Sequence, residues 1–139
     1  MRTLFTDLSD MQVRACATFA DRNLFGTKAE GKWHWITYRA FATQVDEVRG
    51  GLAALGVSAG DCVAIIAGNR VEWAVCCYAA YGLGAVFTPM YEHQHVDDWR
   101  YIVDDCDAKV LVTSTQKINE MTAGWVTKLG TLDHVVGMS

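Results

Sequence analysis

The sequence lacks every short motif that would by itself define a catalytic or metal centre. It has no GxGxxG turn and no P-loop, so no phosphate cradle can be assigned. No serine stands in a GxSxG context, which excludes the common nucleophile elbow for Ser58, Ser114 and Ser139. There is no HExxH pair and no CxxC pair, which excludes the usual zinc and redox signatures. Basic residues are few: 12 Lys and Arg stand against 16 Asp and Glu, for a net charge of −4. They are scattered, so nothing favours nucleic acid as a partner. The leading segment carries Arg2, but Asp7 and Asp10 interrupt the apolar run that a secretory signal needs. Repeats, low-complexity tracts and evident linkers are also missing.

What is present suits one domain of ordinary size. Of 139 residues, 51% are hydrophobic and 20% charged, enough to build a core. The five cysteines, Cys16, Cys62, Cys76, Cys77 and Cys106, are odd in number and unpatterned. They read as reduced, mostly buried cytosolic thiols. The 19 residues from Trp73 to Tyr91 carry no charge. That length could span a membrane, but Gly82, Gly84, Thr88 and Pro89 break its second half. A buried helix running into a buried strand is the reading adopted.

Periodicity orders the elements. A helix over 8–20 carries Leu8, Met11, Val13, Cys16 and Phe19, with Ser9 or Asp7 as its cap. Strands near 24–27 and 32–37 flank a turn at Ala29-Glu30-Gly31, and alternation puts Trp33 and Trp35 on one face. Tyr38, Phe41, Val45, Val48, Leu52 and Leu55 form one helical stripe. Thr37 caps that helix and Gly56 ends it. Cys62 to Ile66 is a strand buried on both faces. A helix over 70–82 is capped by the pair Asn69 and Glu72. A strand over 85–88 is stopped by Pro89. A helix over 96–105 turns Trp99, Ile102 and Val103 inward and leaves Asp97, Asp98, Arg100 and Asp104 wet. Val110 to Val112 is a strand. A helix over 116–129 is capped by Thr113 or Ser114, and His134 to Val136 is a last strand. Strands alternating with helices imply a parallel sheet with helices on both faces, joined by right-handed crossovers. A helix and a short hairpin precede it.

Two segments merit attention as sites. Ala67-Gly68-Asn69-Arg70 leads into a helix N-terminus, where free N–H groups, the dipole and Arg70 could hold an anion. With one glycine, an ordinary capped turn is the simpler reading. Tyr91-Glu92-His93-Gln94-His95 follows a strand end. His93 and His95 could ligate a metal and Glu92 could act as a base, but the spacing matches no known site, and a solvated loop is the simpler reading. Asp97, Asp98, Asp104, Asp105 and Asp107 read as a wet helix face and its end. Trp33, Trp35, Tyr38 and Phe41 read as core or interface packing, not a stacking platform.

Several ordered pieces resemble the adenylate-forming acyl-CoA synthetases, above all the long-chain fatty-acid branch. Ile36 to Phe41 resembles the first core motif of that family. Leu55-Gly56-Val57 with Gly60 to Ile65 is similar to its LGV…GDxVAI segment. Asn69-Arg70-Val71-Glu72-Trp73 resembles NRPEW, with Val71 in place of proline. Ala40 stands where an acidic residue is frequent. Gly84 to Tyr91 resembles the second core motif, and Asp105 to Val112 resembles DSxAKVLV. The likeness covers about residues 20 to 137.

The resemblance implies the N-terminal subdomain of the adenylate-forming fold, here incomplete, with residues 1–37 as helix plus hairpin and 38–139 as the alternating α/β unit. It implies a parent ligase that converts fatty acid, ATP and CoA to acyl-CoA, AMP and pyrophosphate through an acyl-adenylate. ATP, Mg and CoA would serve that parent. The phosphate loop, the Mg-binding Glu, the ribose-binding Asp and the catalytic Lys of the family all fall downstream of the matched pieces. No catalytic, cofactor-binding or metal-binding residue is therefore assigned, and the chain alone is expected to be inactive. Its expected partner is the remainder of the enzyme, reached through an exposed last strand. The expected setting is cytoplasmic, without a membrane span, peripheral association of the parent being compatible. The alternative is a stand-alone, non-catalytic binding or interaction module. A small flavodoxin-like nucleotide binder is a third possibility.

Overall fold

The computed structural model describes residues 4–138; Arg2 and Ser139 of the readings above lie outside them. Helix α1 (Leu8–Thr18) starts at Asp7, whose carboxylate accepts the Asp10 N–H at 2.8 Å. It stops two residues short of expectation. Its buried side is Gln12 and Cys16, while Leu8 and Val13 are 49% and 54% exposed. Of the apolar residues read along this helix, Cys16 is the one that is buried.

Strands β1 (Asn23–Ala29) and β2 (Lys32–Thr37) form an antiparallel hairpin. Glu30 and Gly31 both take positive φ, 51° and 78°, which suits a tight two-residue turn. Trp33 and Trp35 share a face and stack with ring centroids 5.8 Å apart. That face looks outward, and both are more than half exposed, so the core reading is corrected for these two. Gly26 sits opposite Trp35, and a Cβ there would lie 2.8 Å from the indole ring. Phe41 is buried and Tyr38 packs at the edge of the core, as expected.

Helix α2 (Tyr38–Ala54) follows directly. The Thr37 hydroxyl accepts the Ala40 N–H at 3.2 Å. At its end the Val57 N–H donates to Leu52 and the Gly56 N–H to Ala53, with Gly56 at φ 85°. This paired arrangement closes the helix and buries Val57 against the core.

The main sheet is parallel, in the order β4-β3-β5-β6. Its strands are β3 (Cys62–Ile66), β4 (Val86–Met90), β5 (Ala108–Thr113) and β6 (His134–Gly137). Between them run α3 (Val71–Gly82), α4 (Val96–Asp105) and α5 (Gln116–Thr122), the last continued by a 3₁₀ turn over Ala123–Thr127. Alternate strand residues feed two cores. Val63, Ile65, Val110 and Val112 meet α1, α2 and α3 on one face. Ala64, Ile66 and Leu111 meet Trp99, Val103, Ile118 and Trp125 on the other. The parallel sheet with helices on both faces is thus as expected.

Three local expectations are corrected. Pro89 does not stop β4 but lies inside it, opposite Ile65. Strand β4 is a sheet edge, where a missing N–H can face the unpaired side. Edge placement also explains why Val86 is 54% exposed. Asn69 does not cap α3: Arg70 holds that position with no side-chain cap, and Glu72 pairs with Arg70 instead. Helix α5 is capped by Thr115, not Thr113 or Ser114, and ends at Thr122. There the Thr122 hydroxyl donates back to the Ile118 carbonyl at 2.9 Å, and the chain tightens to bury Trp125.

Lys109 and the 58–61 turn pin the start of β3. The Asp61 carboxylate accepts the Ser58 N–H at 2.8 Å, the Ser58 hydroxyl at 2.9 Å and the Lys109 ammonium at 3.3 Å. These bonds, led by the Ser58 N–H, hold the Asp61 carboxyl below the ordinary aspartate range. A depressed folded-state value stabilises the fold above the unfolded value, and the contribution is lost as pH falls through the depressed one. Asp61→Asn should therefore show a shallower loss of stability on acidification than the parent chain, read from denaturation midpoints across the acid range. Ile65, fully buried in the central strand, should cost about 2–5 kcal/mol on change to Ala. Val86→Ala at the exposed edge should cost well under half as much in the same denaturant titrations.

Candidate functional site

Successive crossovers in opposite directions leave a switch point between β3 and β5, where open α/β sheets gather ligands beyond the strand ends. The loops after β3, β4 and β5 meet there. Gly68, Asn69 and Arg70 from the first segment singled out in the sequence and Glu92 from the second come together at this place, with Ser114 and Thr115 as the third side. They bound an open crevice of about 880 Å³ that also touches Phe25, Gly26 and Trp73.

Glu92 is the centre of the arrangement. One carboxylate oxygen accepts the Gly68 N–H at 3.1 Å and the Ser114 hydroxyl at 3.0 Å. Arg70 donates to the Ser114 carbonyl at 3.1 Å and to both oxygens of Glu72, at 2.8 and 3.1 Å. Pairing with Arg70 holds the Glu72 carboxyl below the ordinary glutamate range, and Glu72 in turn keeps Arg70 charged. Three strand ends are thereby latched by one carboxylate and one guanidinium. A Cβ at Gly68 would fall 2.9 Å from Glu92 Oε1, so glycine is what lets the carboxylate approach.

The histidines do not join this centre. His93 is exposed, lies against Tyr91 and stands 3.8 Å from the Glu92 carboxylate. His95 caps α4, its Nδ1 accepting the Asp97 N–H at 3.3 Å. Among the described residues no three His, Cys, Asp or Glu side chains converge on a metal position. Asp97, Asp98, Asp104 and Asp105 lie on the exposed side of α4, as expected. Burial pushes the Cys76 thiol up to about 11, and the residue is enclosed along α3 with 6% exposure, so it does not face a substrate.

In the 67–70 loop the side chain and the glycine N–H best placed for an anion are already engaged. Phosphates need free N–H groups and free cations. Here the Gly68 N–H is given to Glu92, and Arg70 is given to Glu72 and Ser114. The described residues therefore do not fit ATP, Mg or CoA as a complete site. Sequence reading missed the partnership of Glu92, Gly68 and Ser114. The available signal was that each stands at the C-terminal end of a parallel strand.

A second opening shares Thr27, Val71 and Glu72 with the first and extends between α2, α3 and β6. It is an apolar groove of about 750 Å³ lined by Val48, Leu52, Leu55, Val75, Val136 and Met138 among others. It runs along edge strand β6, whose outer side is unpaired in the sheet. Among the described residues no helix is long and apolar enough to cross a membrane.

Glu92→Ala would strand the Gly68 N–H and the Ser114 hydroxyl. It should cost about 1–3 kcal/mol and speed amide exchange at Gly68. Gly68→Ala should loosen the same latch. Unchanged stability and unchanged protection in both variants would contradict it.

Comparison with known proteins places this architecture. The family profile described as AMP-binding enzyme matches residues 13–137. Over 94 residues the chain is 36% identical to the long-chain-fatty-acid–CoA ligase FadD15 of Mycobacterium bovis, covering 68% of this chain and 16% of that protein. It is 28% identical over 116 residues to the uncharacterized protein Rv1549 of Mycobacterium tuberculosis, covering 84% of this chain and 64% of that one. The anthranilate CoA ligase AuaEII, solved with anthranoyl-AMP, superposes with a TM-score of 0.85 at 23% identity, covering 99% of this chain and 26% of that chain. The chain thus spans about one sixth of FadD15 and about a quarter of AuaEII. It belongs to the AMP-binding enzyme family, as an N-terminal adenylate-forming subdomain related to the long-chain fatty-acid–CoA ligases.

Proposed function

We propose that the chain is the N-terminal portion of an ATP-dependent long-chain fatty acid–CoA ligase. The whole enzyme would adenylate a fatty acid with ATP and Mg, release pyrophosphate, and pass the acyl group to CoA. The observation that carries this reading is the 36% identity to a long-chain-fatty-acid–CoA ligase across 68% of the chain. In that setting residues 1–139 are part of a larger AMP-binding domain, with 1–37 the helix and hairpin and 38–139 the α/β unit.

Within this reading the chain supplies scaffold. The crevice groups are spent on one another, and electrostatic clamps for phosphate must come from elsewhere in the enzyme. The apolar groove and the open edge of β6 are the surfaces that the rest of the enzyme would cover. The five free cysteines suit a reducing, cytoplasmic setting.

A second reading is a stand-alone, non-catalytic module. Rv1549 supports it, because this chain matches 64% of that protein, against 16% of FadD15. Both readings expect no ligase activity from these 139 residues. Pyrophosphate release with ATP, Mg, CoA and a long-chain fatty acid should stay at the level without enzyme. Fatty-acid-dependent release would overturn the assignment of scaffold alone. The two readings separate on stability. A cooperative melt of a monomer favours the module, and loose packing or association through the groove favours the portion of a larger enzyme.

A further inference from the structure

The N-terminal end of the main sheet holds a feature that the ligase reading does not use. Cys62, the first residue of β3, and Cys106, the C-cap of α4, bring their sulfurs to 3.5 Å although they are 44 residues apart in sequence. Cys62 Sγ also lies 3.2 Å from the Thr88 hydroxyl, and the Cys106 thiol points at the Val103 carbonyl at 3.7 Å. Cys62 is 6% exposed, whereas Cys106 is only partly buried. Cys106 is thus the more accessible residue of the pair, with the Cys62 sulfur beside its own. The remaining thiols are placed differently: Cys16 accepts from the Gln12 amide, and Cys76 and Cys77 are buried along α3.

We propose that Cys62 and Cys106 form a dithiol modification site, which a small-molecule disulfide converts into a Cys62–Cys106 disulfide. A disulfide bond is about 2.05 Å long, so the sulfurs must close by about 1.5 Å. Cys106 stands past the last turn of α4, beside Asp107 in the left-handed region at φ 50°. Side-chain rotation at that helix end can supply the movement without disturbing β3.

The chemistry balances in two exchanges. The Cys106 thiolate attacks one sulfur of glutathione disulfide, which releases one glutathione thiolate and leaves a mixed disulfide. Cys62 then gives its proton to water and attacks Cys106 Sγ, and the second glutathione leaves as its thiolate. Two protein thiols are oxidised and one glutathione disulfide is reduced to two glutathiones. Burial, with Cys62 adding to it, pushes the Cys106 thiol up to about 11. The first exchange is therefore slow and calls for an excess of the disulfide. The bond would close the loop containing α3, β4 and α4, at the opposite end of the strands from the Glu92 latch.

The test is incubation of the full chain with excess oxidised glutathione, then alkylation and peptide mass spectrometry. The expected result is loss of two alkylatable thiols and a crosslinked peptide pair containing residues 62 and 106. The melting temperature should rise by roughly 5–15 °C and return after reduction with dithiothreitol. Cys106→Ser should abolish both the crosslink and the rise. The proposal is overturned if Cys62 and Cys106 remain separately alkylated, if glutathione stays bound at Cys106, or if other cysteines crosslink instead. The alkylation and crosslink readouts need no ligase activity, and a cooperative melt of the reduced chain, recorded first, separates failure of the dithiol site from loose packing of the chain.

Discussion

Burial of β3 on both faces is the constraint from which the rest of the structure follows. Val63 and Ile65 point into the core under α1, α2 and α3, and Ala64 and Ile66 into the core under α4 and α5. Its backbone groups are paired as well, with a neighbouring strand on each side. Strand β4 takes one side and β5 the other. Because β4 follows β3 in sequence and β5 follows β4, the second crossover must pass back over β3. That reversal creates the switch point and puts the ends of three strands beside one another.

The polar groups at those ends are explained by the same placement. Backbone N–H groups and carbonyls leaving the sheet need partners. Glu92 accepts the Gly68 N–H and Arg70 donates to the Ser114 carbonyl, both at 3.1 Å, and the Ser114 hydroxyl adds a side-chain bond to Glu92 at 3.0 Å. The crevice is open, yet its best donors and its one central carboxylate are satisfied internally. The apolar groove beside β6 is different in kind. It has hydrophobic lining and an unpaired strand edge, which suits polypeptide more than a charged nucleotide.

Legibility in the sequence varied with how local the cause was. Helix α2 could be read almost whole, because its stripe, its Thr37 cap and its Gly56 ending are all encoded within a few residues. Strand β3 was legible for the same reason, as an unbroken apolar run. Pro89 was misread because its tolerance depends on β4 being an edge strand, which only the sheet order reveals. The early end of α5 was missed because it turns on the Thr122 back-bond and the inward swing of Trp125. Period-2 alternation put Trp33 and Trp35 on one face, but it could not say which face looks outward. For the site, both loops were visible as strand ends. The latch was not, since Glu92, Gly68 and Ser114 are far apart in sequence and meet only through the strand order.

The central claim is that the crevice at the strand ends is internally satisfied scaffold and not a nucleotide site of its own. It is tested most directly by titrating ATP with Mg into the isotopically labelled chain and following the backbone amides of Gly68, Arg70 and Ser114. The account predicts that these resonances stay in place into the millimolar range. Saturable shifts centred on Gly68 and Arg70 at micromolar ATP would contradict it, because binding would have to displace Glu92 and free Arg70.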